Sequence, residues 1–435
     1  MTTPPAISPW PSLVEEPHRT ALRSILGDLE AELTSPDEGG DPTLSSGDAG
    51  RALFLGYLSR LPGKEGLEAR AMEALGAAVE GVERTPGAQF YAGFTGIAWT
   101  IEHLQKTVLC DTDPEAEDPN HGVDEVLLDL LSGGVWARDY DLISGLVGFA
   151  VYALERVERP TARLILARIL DHLETLATPR HVGLSWITGP ALLPPWQREL
   201  APAGYLNLGL AHGVPGVLVI LAALLQVGEH HPEVDSERAA SLLQGGVDWL
   251  LSQFQEPEVG SYLGGWCPVD QERVRRKEGS RVAWCYGDLG VSMALLQVAR
   301  LGARSDWEAR ALEMARLAAG RSVEDSGVCD AGLCHGSAGN ALIFQRLFHL
   351  TGETRFRDAA RMYLDHLLES RKPGGPFGGF TTYRPPSPGL IGAGDHVPDP
   401  GLLEGSAGVG LALLAALGVE PRWDRFMLLS LPELP

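Results

Sequence analysis

A closed α/α toroid, a ring of seven helix pairs, is the fold this sequence predicts. Three observations predict it. A Gly-x-x-Gly step followed by an apolar run occurs seven times along the 435 residues. Amphipathic segments with charged faces lie between these steps. The two kinds of segment alternate from one end of the chain to the other. A segment apolar on most faces must be buried on most faces, whereas an amphipathic one covers a core with one stripe. Alternation therefore gives an inner and an outer ring of helices. Self-similarity of this kind is the mark of a repeat architecture, and the 1–435 chain is read as one toroidal domain.

The Gly-x-x-Gly copies are SGDAGRALFL at Gly47, AGFTGIAWTI at Gly93, SGLVGFAVYA at Gly145, HGVPGVLVIL at Gly213, YGDLGVSMAL at Gly287, HGSAGNALIF at Gly336 and EGSAGVGLAL at Gly405. Each glycine is expected to permit a tight turn into the following helix. Examples of the intervening amphipathic helices are expected at 66–83, 160–177, 235–251, 306–320 and 355–371. Copies are spaced unevenly, at roughly 46 to 74 residues, which implies inserted loops. Residues 178–210, rich in Pro, Gly and Trp, and residues 256–280, poorly helical, are expected to form loops or a small β excursion over a shared cavity. The glycine turns are expected to gather at one end of the ring and to line that cavity.

Composition excludes several functions. The formal net charge of −22, from 57 acidic and 35 basic residues, argues against binding nucleic acid or an anionic membrane through a general field. The opening MTTPPAISPWPSLVEEPHRT lacks a basic and an apolar region, so no secretory signal is expected. The longest apolar run, VPGVLVILAALL, is too short to span a bilayer, so no transmembrane segment is expected. Five cysteines, Cys110, Cys267, Cys285, Cys329 and Cys334, are too few for a disulfide framework in a chain of this size. A cytoplasmic location is the expectation, and thiols there point to metal or catalysis.

The repeats act as their own control. The two residues before the first glycine read Ser45-Ser46, Tyr91-Ala92, Ile143-Ser144, Ala211-His212, Cys285-Tyr286, Cys334-His335 and Leu403-Glu404. Cysteine occurs there only in copies five and six, and histidine only in copies four and six. Neighbours in a ring are neighbours in space, so the unusual side chains collect on one arc. Cys285, Cys334 and His335 supply two soft thiolates and one imidazole, a set that suits Zn²⁺ with an open fourth position. Two other readings stand beside this one. The cysteines can be small buried hydrophobes, or Cys329 can close a structural site.

His212 adjoins this arc, and Asp141, four residues before Gly145, can orient it or take a proton. Arg281, four residues before Cys285, cannot act as a base but can stabilise an oxyanion. Arg273, Arg275, Arg276 and Lys277 read as a solvated loop or a patch for an acidic peptide segment. A toroidal glycosidase would use paired carboxylates such as Asp141 and Glu404 and leave the Cys/Cys/His set idle. A protein prenyltransferase would need an isoprenoid site that the sequence does not display.

HGVPG, RVAWCYGDLG, LCHGSAG and LLEGSAGVGLAL, set in the sevenfold glycine repeat, resemble the lanthionine synthetase C family over nearly the whole chain. The resemblance implies one zinc ion held by Cys285, Cys334 and His335. It implies His212 as the catalytic histidine, with Asp141, Arg281 and Tyr286 at active-site positions. Glu404 stands where the family's last motif has Asp. The implied reaction is Michael addition of a peptide cysteine thiol to dehydroalanine or dehydrobutyrine, giving lanthionine or methyllanthionine. The implied substrate is a dehydrated precursor peptide with its leader. The implied partners are a lanthipeptide dehydratase and an exporter, which would place the protein at the periphery of a membrane biosynthetic complex. Two alternatives remain: a eukaryotic-type relative that adds glutathione to dehydroamino acids, and a non-catalytic zinc-stabilised scaffold.

Overall fold

Both helix sets form as predicted and close into an α/α toroid. The computed structural model describes residues 10–34, 40–109, 117–257, 260–271, 279–386 and 394–434. The outer helices are α1 (His18–Leu33), α3 (Leu67–Glu80), α5 (His121–Leu131), α7 (Pro160–Leu176), α9 (Ser236–Ser252), α11 (Ser305–Ala319) and α13 (Thr354–Ser370). The inner helices are α2 (Asp48–Leu58), α4 (Phe94–Leu104), α6 (Leu146–Glu155), α8 (Val214–His230), α10 (Asp288–Leu301), α12 (Ser337–Thr351) and α14 (Ser406–Ala416).

The contrast in burial follows the contrast in sequence. Every residue of α6 and of α14 is buried. By contrast, α7 buries Ala162, Ile165, Leu166, Ile169, Leu170 and Leu173 in one stripe at helical spacing, with His172 buried at its edge. Around the inner ring α2 touches α4, α4 touches α6, α6 touches α8, and so on until α14 touches α2 again. Helix α1 packs on α14, so the first outer helix completes the last pair and joins the two ends of the ring.

The first glycine of every copy caps its inner helix, but not for the reason expected. Six of the seven have negative φ, from −101° to −130°, that any residue adopts; only Gly287, at φ +94°, is left-handed. Close approach is what excludes a side chain. A Cβ on the second glycine of each copy (Gly50, Gly96, Gly148, Gly216, Gly290, Gly339 or Gly408) would come within 3.0 Å of the carbonyl oxygen six residues earlier. The first glycine is crowded in the same way in six copies, and in the seventh Gly336 abuts Gly332 and Asp330. The chain folds back onto its own helix start at both positions.

The two irregular stretches carry short strands. β1 (Ala177–Pro179) pairs antiparallel with β2 (Leu184–Trp186) inside the first. β3 (Tyr205–Asn207) pairs antiparallel with β4 (Trp266–Pro268), placing Leu206 opposite Cys267 and tying the two stretches together. A third antiparallel pair, β5 (Thr382–Arg384) with β6 (Asp395–Val397), lies in a stretch for which the sequence predicts no element.

The middle of the ring is filled by the C-terminal segment. Arg422–Met427 forms a 3₁₀ turn, and Trp423, Phe426, Met427, Leu428 and Leu429 are buried. Tyr91 Oη donates to Phe426 O at 2.8 Å, and Trp284 Nε1 donates to Met427 O at 2.8 Å. Trp284 precedes Cys285, so this plug braces the segment that presents the thiol.

Candidate metal centre and active site

One circuit of backbone hydrogen bonds positions the residues that precede the glycines. Ser45 N donates to Tyr91 O (3.0 Å), Tyr91 N to Ile143 O (3.2 Å) and Leu142 N to Ala211 O (3.2 Å). Ala211 N donates to Cys285 O (3.5 Å), Cys285 N to Cys334 O (3.3 Å), Cys334 N to Leu403 O (3.0 Å) and Leu403 N to Ser45 O (2.9 Å). The circuit visits all seven copies and returns to its start. Its bonds use main-chain atoms alone, so side chains on it are free to vary.

Cys285 and Cys334 are direct neighbours on this circuit. With His335 they form a group whose ligand atoms all lie within 4.8 Å of one another. Among the described residues no fourth His, Cys, Asp or Glu belongs to that group. Cys329 lies outside it, on the wall of the adjoining cavity, so it does not close a structural site. Cys267 is also outside, buried on β4.

A hydrogen bond from Cys334, then His335 and the charge of Arg281, hold the Cys285 thiol below its usual range despite burial. His335 Nε2 meets Asp330 Oδ2 at 3.2 Å, and the ring also hydrogen-bonds the Cys285 sulfur. Burial works against a charged His335 ring, but Asp330 and the Cys285 sulfur outweigh it and push its pKa up to about 10. Two sulfurs and one nitrogen, oriented by a buried carboxylate, fit zinc by donor chemistry.

The histidine pair lies on the next stretch of the arc. His212 Nδ1 meets Asp141 Oδ2 at 2.6 Å, and Asp141 Oδ1 accepts from Ser144 N at 2.8 Å. Burial would lower the His212 pKa, but the Asp141 hydrogen bond and charge raise it above the ordinary value. The Tyr286 ring stacks near His212, centroids 6.3 Å apart, and its hydroxyl accepts from Asn207 Nδ2 at 3.1 Å. Burial pushes the Tyr286 phenol well above its usual range, so it stays protonated at neutral pH.

Two cavities flank this arc. One, of about 220 Å³, is lined by Asp139, Asp141, Ser144, Tyr205, His212 and Tyr286, with Leu192, Pro194 and Gln197 from the first irregular stretch. The other, of about 730 Å³, is lined by Trp196, Arg281, Arg321, Cys329, His335, Tyr383, Arg384 and Glu404. Arg281 thus faces the cavity that reaches His335. Glu404 is paired with Arg384, which also meets Asp399 at 2.6 Å, so it does not stand as one of two free carboxylates. Arg273, Arg275, Arg276 and Lys277 lie outside the described residues.

Sequence reasoning missed Asp330, Asp139 and Asn207. All three sit six residues before a first glycine, a position that carries Asp or Asn in five of the seven copies. That regularity was the available signal.

A helical toroid with a two-thiol, one-imidazole donor group and a histidine–carboxylate pair at one arc defines the class of protein. The chain belongs to the lanthionine synthetase C-like protein family, whose model matches residues 39–428. A solved structure, nisin cyclase, matches with a TM-score of 0.69 at 20% identity, covering 95% of this chain and 98% of that one. Over 224 residues the chain is 28% identical to Nisin biosynthesis protein NisC of Lactococcus lactis subsp. lactis, covering 47% of this chain and 50% of the relative. Over 178 residues it is 28% identical to Glutathione S-transferase LANCL1 of Danio rerio, covering 40% of this chain and 39% of the relative. The chain thus spans half or less of the length of these curated relatives. No helix among the described residues is long and apolar enough to cross a membrane.

Proposed function

We propose that this chain is a zinc-dependent lanthipeptide cyclase that joins a peptide cysteine to a dehydroalanine or dehydrobutyrine through a thioether bond. One observation carries the reading: Cys285, Cys334 and His335 converge within 4.8 Å on the arc that holds the Asp141–His212 pair. Zinc bound by these three residues would supply a Lewis acid that lowers the pKa of an incoming thiol, which otherwise is only a few per cent thiolate at pH 7.

The remaining steps fall to the chain's own groups. The thiolate attacks Cβ, the S–Cβ bond forms, and the π pair moves onto the carbonyl oxygen as an enolate. Arg281 sits on the wall of the larger cavity, and among the described residues its guanidinium makes no hydrogen bond, so it is available to that oxygen. His212, kept protonated and oriented by Asp141, delivers a proton to Cα from Nε2. Tyr286, held by Asn207, fixes the His212 ring by stacking. The substrate is a dehydrated precursor peptide with its leader. A dehydratase must act first, and an exporter would follow, with the protein in the cytoplasm at the edge of that assembly.

The similarity to Glutathione S-transferase LANCL1 supports a second reading, in which the thiol is glutathione. Incubating the protein with a dehydrated peptide, with and without glutathione, separates the two by mass. Ring closure leaves the peptide mass unchanged and removes a free thiol, whereas glutathione addition raises the mass. Neither product in the presence of stoichiometric zinc would sink both readings.

A further inference from the structure

The position six residues before the first glycine carries Asp or Asn in five copies, and in four of them it follows a structural rule. Asp41 Oδ1 accepts from Thr43 N at 2.8 Å, Asn207 Oδ1 from Gly209 N at 2.9 Å, Asp330 Oδ1 from Gly332 N at 3.3 Å and Asp399 Oδ1 from Gly401 N at 2.7 Å. In each case the side chain caps the backbone two residues on, a task that Asn performs as well as Asp. Asp139 holds the equivalent place in copy three and breaks the rule. Among the described residues its carboxylate accepts nothing from the backbone two residues on, meeting its own amide instead, and the capping in this copy falls to Asp141, which accepts from Ser144 N. Asp139 instead lines the small cavity that contains His212. A repeat position that supplies structure elsewhere is here released from it, beside the group that must move a proton.

Resting on the cyclase reading, we infer that Asp139 is the proton-relay residue that recharges His212 between turnovers. Asp141 cannot do this, because its two oxygens are held by His212 Nδ1 and Ser144 N. The titratable groups facing Asp139 across the cavity are Asp141, His212, Tyr205 and Tyr286; the roof residues Leu192, Pro194 and Gln197 carry no charge. Burial and the neighbouring Asp141 charge push the Asp139 carboxyl up to about 6, against a pull from His212. It therefore binds a proton less tightly than His212 and more tightly than an ordinary carboxylate. After His212 has protonated Cα, the Asp139 O–H bond breaks and its proton joins His212 Nε2. The carboxylate then takes a proton from solvent. The proton lost by the substrate thiol returns to solvent, so the cycle balances.

The experiment is Asp139→Asn in the zinc-loaded full chain, acting on a dehydrated precursor peptide over pH 5–9. Asparagine at this position is built into copy four as Asn207, so the variant retains the fold. The expected result is a fall in turnover of about tenfold above pH 6, at the low end for general acid–base groups. Zinc content stays unchanged, and imidazole buffer restores the rate in proportion to its concentration. Asp139→Glu retains most of the rate, and Asp41→Asn behaves as wild type. Equal rates for Asp139→Asn and wild type across the range, or a loss that buffer does not restore, overturns the relay. A second arm needs no turnover. In the metal-free chain, the NMR titration of the His212 ring is expected to show an added inflection near pH 6 that Asp139→Asn removes. The same curve in both proteins overturns the inference, whereas an inactive wild type would overturn only the cyclase reading.

Discussion

Asp141→Asn isolates the electrostatic support of His212. The substitution removes one negative charge and leaves a side chain of the same size. The lost interaction is a charge-assisted hydrogen bond of 2.6 Å to a carboxylate that is 7% exposed. Such bonds are worth about 1.5–3 kcal/mol. The His212 side chain is 41% exposed, so solvent screening selects the lower end, about 1.5 kcal/mol. At 1.36 kcal/mol per pKa unit, the imidazole pKa should fall by about one unit. Burial is then less opposed and pulls the ring further toward neutrality. The protonated fraction above neutral pH falls about tenfold, and cyclisation falls with it if His212 is the acid. The same pair contributes to stability: because the folded pKa is raised, its contribution is full below the unfolded value of 6.5 and is lost as pH rises through the folded value. NMR titration of the imidazole in the metal-free chain reads the shift, and a pH–rate profile reads its consequence. An unchanged midpoint would refute the electrostatic argument. A shifted midpoint with an unchanged rate would remove His212 from the chemistry.

Two further predictions follow from contacts already described. Asp330→Ala should weaken zinc affinity by about 10- to 100-fold, since it removes the carboxylate that orients His335; a competitive chelator titration measures it, and unchanged affinity would count against that role. Gly96→Ala gains about 1 kcal/mol of helix propensity, but its Cβ would lie 2.9 Å from Leu44 Cβ and closer still to Phe90 O, so overpacking of about 1–3 kcal/mol should prevail. Denaturant unfolding should therefore show a net loss of stability, and a more stable variant would show that the helix start can shift to accept a methyl group.

Much of this was legible because the repeat compares a position with itself. Tyr91, Ala211 and Leu403 show what the turn tolerates structurally, and against them Cys285 and Cys334 stand out. Helix periodicity located α7 and α13 to within about a residue, because their stripes run for four turns or more. The C-terminal plug was not legible: Arg422–Met427 is a 3₁₀ turn too short to display a period, and its burial comes from the ring that surrounds it. The β5–β6 hairpin has three residues per strand, below the length at which alternation can be read. Asp139 was hidden for a different reason. Its residue type obeys the repeat, and only the cap it does not make two residues on departs from it.

The backbone circuit makes a stricter test of the repeat argument possible. Cys285 and Cys334 come together because Cys285 N bonds to Cys334 O, whatever the side chains are. Cys334 N bonds to Leu403 O at 3.0 Å in the same way, so Leu403 stands to Cys334 as Cys334 stands to Cys285. Leu403→Cys should then bring a third sulfur to the group. Zinc favours four ligands in a closed site when soft donors are at hand, with Zn–S near 2.3 Å. The expected outcome is three sulfur scatterers by X-ray absorption, tighter zinc and lost cyclisation, because the position needed by the substrate thiol is taken. Two sulfur scatterers in Leu403→Cys would mean that equivalence along the main chain does not extend to the side chains. The convergence of the two native thiols would then owe more to the plug beneath Trp284 than to the circuit itself.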